Sequence, residues 1–217
     1  MRSKLNLHLD LGKIKEYLDN LENAREDMLK RGRDVLNLCR ALISRVVRGE
    51  DATEYVGLLQ EMYNELYNSV AKYPELFFSN TFFSIAIEYV EALQLYSIIK
   101  ESKIVALDEI KVHPIPYILG LVEVIGELKR ISLEDLRRDR FSDANRLLET
   151  AEELYNKISQ FSYPDAMLPG FRRKLDIYRK VLEDWKKFLV DMESRKSLIQ
   201  RLNEMMESFG LNTKQNR

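Results

Sequence analysis

Apolar residues recur along most of the chain three or four positions apart, which is the spacing of an amphipathic helix. No stretch shows the alternation of a half-buried strand. We therefore predict an all-α fold: one domain over residues 1–210, built as a bundle of about six to seven helices, and a polar tail at 211–217. The expected helices cover residues 11–47, 53–72, 75–100, 116–136, 142–161 and 171–209, with a capped turn at 107–110. Their apolar stripes predict which residues face inward. These are Met28, Val35, Leu36, Cys39, Leu42, Ile43 and Val46 of the first helix, Val56, Leu59, Met62, Tyr63 and Leu66 of the second, and Leu147, Leu148, Ala151, Leu154 and Ile158 of the fifth.

Two of these helices are apolar almost all round and yet carry acidic residues. The run FFSIAIEYVEALQLYSII contains Glu88 and Glu91, and the run PYILGLVEVIGELKR contains Glu123 and Glu127. Residues three or four apart lie on one face of a helix, so each pair shares a face. Four carboxylates on two helices that should be largely buried are the main functional signal of this sequence.

Gly120 and Gly126 lie in the second of these helices, next to its carboxylates. Each glycine costs a helix interior about 1 kcal/mol relative to alanine, so its presence needs a reason. We expect another backbone, or a ligand, to approach the helix closely here.

A buried carboxylate without a partner is costly, and three arrangements would satisfy these four. They are salt bridges, with Lys129 and Arg130 as nearby partners, side chains that reach the surface, or a bound metal ion. Oxygen donors without histidine favour Mg²⁺, Mn²⁺ or Ca²⁺, and the Glu-x-x-His pairs of di-iron bundles are absent. Such ions assist phosphodiester or pyrophosphate hydrolysis.

The net charge of −1 excludes a global basic field, so a nucleic-acid site would have to be a local patch. Residues 25–48 hold seven Lys/Arg against three acids, and residues 171–201 hold ten against five. Without other information, a solvated helix face is a more common reason for such a surplus than a nucleic-acid site.

The remaining candidates for chemistry are few. Cys39 lies on an apolar stripe and is expected in the core, and His8 and His113 are expected to be structural. No phosphate-binding loop, zinc cluster or Ser–His–Asp set is present. No apolar run reaches the roughly 20 residues of a membrane span, and the chain does not begin with a signal-peptide pattern. We expect a cytoplasmic protein without membrane contact.

Four short motifs together resemble the translin/Trax family: EYVEA at 88–92, LDEI at 107–110, YILG at 117–120 and GELxR at 126–130. The resemblance implies an all-α bundle that assembles into a hollow octamer and binds single-stranded RNA or DNA inside. The sequence is more similar to the Trax branch, which implies a Mg²⁺-dependent endoribonuclease centre.

Carried over residue by residue, the resemblance implies that Glu88, Glu91, Glu123 and Glu127 are catalytic and hold Mg²⁺ or Mn²⁺. The family pattern has aspartate at the position of Glu123, and the segment ISLEDLRRDRFSDA lacks the usual Asn-Ser and Gly-Asp turn. The first difference puts the rate of cleavage in doubt, although metal binding should survive, and the second implies a different local loop.

The expected function is therefore metal-dependent cleavage of single-stranded RNA, and of single-stranded DNA as a further substrate. The candidates for binding the phosphate backbone are Arg33, Arg40 and Arg130. Partners would be other copies of the chain or a translin-like subunit. Two alternatives remain: a translin-like single-stranded nucleic-acid-binding assembly protein without catalysis, and an all-α nucleoside triphosphate pyrophosphatase.

Overall fold

The computed structural model describes residues 11–209, and these form an all-α fold without strands, as predicted. The predicted tail at 211–217 and His8 lie outside the described residues. A short 3₁₀ turn at Leu107–Glu109 occupies the place of the expected capped turn. The helices are α1 Gly12–Arg48, α2 Thr53–Val70, α3 Pro74–Phe77, α4 Asn80–Glu101, α5 Pro114–Arg137, α6 Phe141–Ile158 and α7 Phe171–Ser208.

The chain divides into two compact units. The first comprises Met1–Val46 and Glu50–Gly120, which is most of α1, then α2, α3, α4 and the start of α5. The second comprises Val47–Gly49 and Leu121–Arg217, which is the rest of α5 with α6 and α7. The assignment of one domain to residues 1–210 stays a prediction.

The core of the first unit follows the apolar stripe predicted for the first helix. Met28, Val35, Cys39, Leu42 and Val46 of α1 are all buried. Helix α4 approaches α1 closely at Gly32, where a side chain would meet Ile85.

Helix α2 contributes aromatic packing to the same core. The ring of Tyr63 stacks on that of Tyr89 in α4, with 3.8 Å between centroids and 4° between planes. Leu59 and Leu66 are buried on the same side of α2. The inward face predicted for this helix is therefore confirmed at its central positions.

The helix expected at 75–100 is two helices, and the prediction of one continuous helix was wrong. Helix α3 ends at Phe77 and α4 begins at Asn80, with Ser79 between them. Ser79 has extended backbone angles, and its hydroxyl accepts a hydrogen bond from the N–H of Phe82 at 3.2 Å. This is the geometry of an N-cap, which satisfies an N–H that has no partner within the helix.

Helix α4 differs from the expectation that no apolar run of the chain reaches the length of a membrane span. Its 22 residues are long and apolar enough to cross a membrane by length and composition. More than half of that window, 56%, is buried inside the protein, as is common for a core helix of a soluble fold.

The second unit packs α6 against α7. The inward face predicted for α6 is buried throughout, at Leu147, Leu148, Ala151, Leu154 and Ile158. A buried hydrogen-bond chain links three helices of this unit: the indole N–H of Trp185 donates to the Ser132 hydroxyl at 3.1 Å, and that hydroxyl donates to the carbonyl of Ala144 at 3.1 Å.

Candidate functional site

The first carboxylate pair, Glu88 and Glu91, lies on α4 in the first unit. Both side chains are half-buried, and Tyr89, Val90 and Ala92 between and after them are buried. Burial, followed by the negative charges of Glu88 and Glu91, raises the pKa of the Cys39 thiol. The two carboxylates therefore lie close enough to this core cysteine to affect it, and Cys39 is a buried thiol rather than a reactive thiolate.

Gly120 of α5 lies against α4 within the first unit. A Cβ at this position would be 2.6 Å from Cβ of Val90 and 2.9 Å from the carbonyl oxygen of Ile87. No side chain fits so close to another helix's backbone, so the glycine allows the two helices to touch. The close approach of a backbone predicted from the sequence is confirmed here.

The start of α5 is tied to α4 by a polar contact that the sequence did not indicate. The Gln94 side chain, fully buried on α4, donates to the carbonyl of Val105 at 2.7 Å and accepts from its N–H at 2.9 Å. The Tyr117 hydroxyl donates to the same carbonyl at 2.8 Å. These bonds hold the connection between the two helices and fix where α5 begins.

The second carboxylate pair, Glu123 and Glu127, lies on α5 in the second unit. Glu123 is held by two residues of α7: the Lys174 ammonium donates to Oε1, and the Tyr178 hydroxyl donates to Oε2 at 2.7 Å. Glu127 accepts a hydrogen bond from Arg130 at 3.2 Å. Both carboxylates therefore face a cation supplied by the chain.

Gly126 makes room for one of these contacts. A Cβ on Gly126 would be 3.2 Å from the Tyr178 hydroxyl and 3.5 Å from Cε1 of its ring. The glycine therefore lets the tyrosine lie against α5 and reach Glu123, one turn earlier on the helix. The close approach predicted at this position is made by a side chain.

The structure places each carboxylate pair on one face of its own helix, as predicted. Among residues 11–209, no group of three or more His, Cys, Asp or Glu side chains is arranged to hold a metal ion. The joint centre of Glu88, Glu91, Glu123 and Glu127 therefore stays a prediction.

The chemistry of the donors nevertheless fits a divalent ion. All four are carboxylates, the ligand type preferred by Mg²⁺ and Mn²⁺. Glu123 already binds a cation, since the Lys174 ammonium lies against one of its oxygens. Glu123 and Glu127 would need to release Lys174 and Arg130 in order to hold a metal.

The candidate nucleic-acid-binding arginines lie at the surface. Arg33 and Arg40 are exposed on α1, seven residues apart and therefore on one face. Neither forms an ion pair with any residue within the described range. Arg130 is exposed on α5 and forms a salt bridge with Glu127. A salt bridge was one of the arrangements that the sequence left open for these carboxylates.

Sequence reasoning missed Lys174 and Tyr178 as members of this site. Lys174 was counted only as one of the ten basic residues of 171–201, and Tyr178 was not singled out. The available signal was position: Lys174 lies three residues after Phe171 and four before Tyr178, on the side of α7 that carries its apolar residues. A lysine at an inward position needs an acidic partner, here Glu123.

Comparison with known proteins gives one clear relative. The chain is 34% identical over 177 residues to the uncharacterised protein MJ0175 of Methanocaldococcus jannaschii, covering 80% of this chain and 78% of the relative. No protein-family model matches the chain.

Solved structures of C3PO, which is a translin/Trax complex, share the fold. AfC3PO in complex with duplex RNA superposes with a TM-score of 0.80 at 26% identity, over 86% of this chain and 98% of that one. Another crystal structure of AfC3PO superposes with a TM-score of 0.80 at 27% identity, over 86% of this chain and 98% of that one. The crystal structure of apo-NeC3PO superposes with a TM-score of 0.78 at 26% identity, over 87% of this chain and 100% of that one. The chain belongs to the translin/Trax family.

Proposed function

We propose that the chain is a subunit of a translin-like assembly that binds single-stranded RNA and cleaves it with Mg²⁺ or Mn²⁺. Single-stranded DNA is a second ligand. The cleavage is hydrolysis of a phosphodiester bond, and Glu88, Glu91, Glu123 and Glu127 form the acidic centre, as in the Trax branch.

Binding of RNA is supported by similarity and by charge. AfC3PO, which shares the fold over 86% of this chain, was solved with duplex RNA. Arg33 and Arg40 present two exposed guanidinium groups on one face of α1, where they can contact the phosphate backbone. The same proposal makes Arg130 a phosphate-binding residue once it leaves Glu127.

One observation carries the catalytic part of the proposal: Glu123, a half-buried carboxylate next to Glu127, holds a cation at the position that the family uses for a metal ligand. A divalent ion bound by such carboxylates polarises a phosphoryl oxygen and lowers the pKa of a water molecule. The chain's own contributions are to hold the ion with its carboxylates, to accept a proton from the attacking water at one of them, and to orient the RNA through its arginines.

Assembly into an oligomer is supported by the surface of α7. Leu198, Ile199, Leu202 and Met205 are each about half exposed, at 48% to 58%. A run of exposed large apolar residues is typical of an interface with another chain. By resemblance the assembly is a homo-octamer, or one completed by a translin-like partner subunit.

The alternative is a binding protein without catalysis, and one observation favours it. Glu123 and Glu127 are already paired with Lys174 and Arg130, so the carboxylates also serve as a structural network. The pyrophosphatase alternative has less support, because the fold is shared with an RNA-bound protein over most of the chain.

Cleavage of labelled RNA by purified variants tests the proposal. Glu88→Ala and Glu127→Ala should abolish Mg²⁺-dependent cutting while the protein still folds and oligomerises. Glu134→Ala, on the same helix but bound to Arg137 and Arg138, is the matched control and should cut normally. Unchanged cutting in Glu127→Ala would exclude the acidic centre.

A further inference from the structure

The contact between α7 and Glu123 uses both oxygens of the carboxylate. Lys174 and Tyr178 are four residues apart on α7, so their side chains point the same way. The ammonium binds Oε1 and the hydroxyl binds Oε2. No other carboxylate in the described residues is shown with a lysine on one oxygen and a tyrosine on the other. Glu123 is therefore oriented as well as neutralised.

This contact is more protected than an ordinary surface ion pair. The side chains of Lys174 and Glu123 are only 33% and 24% exposed. Exposed pairs contribute little to stability because water screens them. A half-buried pair whose acid also accepts a tyrosine hydrogen bond is screened less, and removing one partner leaves the other without compensation.

The surroundings of the pair are built to allow it. Gly126 leaves space for the Tyr178 ring to lie against α5. A Cβ on Gly126 would be only 3.2 Å from the Tyr178 hydroxyl oxygen. One turn after Glu123, Glu127 is neutralised by Arg130. Both carboxylates on this face of α5 are therefore balanced by cations of the same unit.

We infer that Lys174 is an internal counter-ion that occupies the place of a divalent cation at Glu123, so that a metal ion binds there only when the lysine moves aside. This inference rests on the proposed function, because it assigns a role in metal binding to a residue outside the family's acidic set. Lys174 is a positioning residue here. Its ammonium keeps Glu123 neutralised in the metal-free protein and lowers the apparent affinity for the metal.

Tyr178 has a related but weaker role. Its hydroxyl holds the second oxygen of Glu123 without adding charge, so it fixes the direction of the carboxylate. Loss of this hydroxyl should change metal affinity much less than loss of the ammonium.

Titration with Mn²⁺, followed by the electron paramagnetic resonance signal of the free ion, tests the inference without any activity. Lys174→Met should bind Mn²⁺ about tenfold more tightly than the unaltered protein, which is the gain expected if Glu123 is free of the lysine only about one tenth of the time in the unaltered protein. Lys174→Arg, which keeps the charge, should bind like the unaltered protein. Lys174→Gln is a second neutral variant in case Lys174→Met folds poorly.

The gain must act through Glu123. Lys174→Met combined with Glu123→Gln should lose the gain in Mn²⁺ affinity. Tyr178→Phe should gain less than half as much as Lys174→Met, measured as the logarithm of the affinity. Circular dichroism and the fluorescence of Trp185, the single tryptophan, check that each variant is folded.

Two results would overturn the inference. If Lys174→Met and Lys174→Gln bind Mn²⁺ no more tightly than the unaltered protein, Lys174 is not a counter-ion in competition with metal, and the metal-dependent function stands as long as the unaltered protein binds the ion. If none of these proteins binds Mn²⁺, both the inference and the metal-dependent function are wrong.

Discussion

At the scale of single residues, the candidate site combines carboxylates with cations supplied by the chain itself. Glu123 with Lys174 and Glu127 with Arg130 are the two examples on α5. Under the proposed function, a metal ion would have to displace these cations before the carboxylates could bind it.

His113 gives a prediction about pH at this scale. It precedes α5, its Nδ1 accepts the N–H of Ile115 at 3.3 Å, and its ring stacks on Phe83. Partial burial lowers the pKa of His113 below its ordinary value. The folded protein therefore favours the neutral ring, whereas the unfolded chain titrates near pH 6.5.

The sign of the effect follows from this difference. Stability from His113 is present above the unfolded pKa and is lost as the pH falls through the lower folded pKa. The melting temperature of the unaltered protein should decrease as the pH is lowered from about 7.5 to about 5.5. It should decrease less in His113→Asn, which keeps a capping group. Equal pH dependence in His113→Asn would contradict the account.

At the scale of helices, glycine decides how closely α5 approaches α4. Gly120→Ala would place a Cβ 2.6 Å from Val90 and 2.9 Å from a backbone oxygen of α4. Because backbone cannot move aside as a side chain can, we expect a loss of about 1–3 kcal/mol in the free energy of unfolding. Urea denaturation followed by circular dichroism measures it.

Gly57 is the matched control for this substitution. It lies inside α2, and nothing is found within 4 Å of a Cβ built there. Gly57→Ala should therefore stabilise the protein by about 1 kcal/mol through helix propensity alone. If Gly120→Ala is as stable as Gly57→Ala, the close packing at Gly120 is not a constraint.

The sequence predicted the helices because their apolar period is regular, and it failed where one residue overrode that period. The inward face of α6, from Leu147 to Ile158, was predicted completely. Ser79 ended the apolar run at 75–100 and began a new helix, since its hydroxyl caps α4. A single serine among apolar residues is a weak signal until the backbone angles are known.

The candidate site was predictable by residue type but not by partner. Spacing alone placed each carboxylate pair on one helix face, and the glycine pattern indicated a close approach. The partners of Glu123 come from α7, some fifty residues later in the chain, so helical period could not identify them. Only packing shows that Gly126 makes room for Tyr178.

At the scale of the whole molecule, the net charge is close to zero, so attraction of RNA depends on local basic faces. Each phosphate contact to a single strand makes the fall of log affinity with log salt concentration steeper by about 0.7. Arg33→Gln with Arg40→Gln should therefore make that fall shallower by about 1.4 and weaken binding of every sequence alike.

Lys157→Gln is the control for this effect, because Lys157 is an exposed cation on α6 that pairs with Glu153. It should leave the salt dependence of binding unchanged, as measured by fluorescence anisotropy of a labelled oligonucleotide. An unchanged slope in the double arginine variant would show that this face of α1 does not bind the phosphate backbone.

The most direct test of metal-dependent cleavage uses the unaltered protein and one labelled single-stranded RNA, with a duplex of the same sequence alongside. The RNA is incubated with Mg²⁺, with Mn²⁺ and with EDTA, and its length is read on a gel. We predict shortening of the single strand with either metal and none with EDTA. RNA that is bound but stays at full length under all three conditions would contradict cleavage, and the protein would then be a translin-like binding subunit.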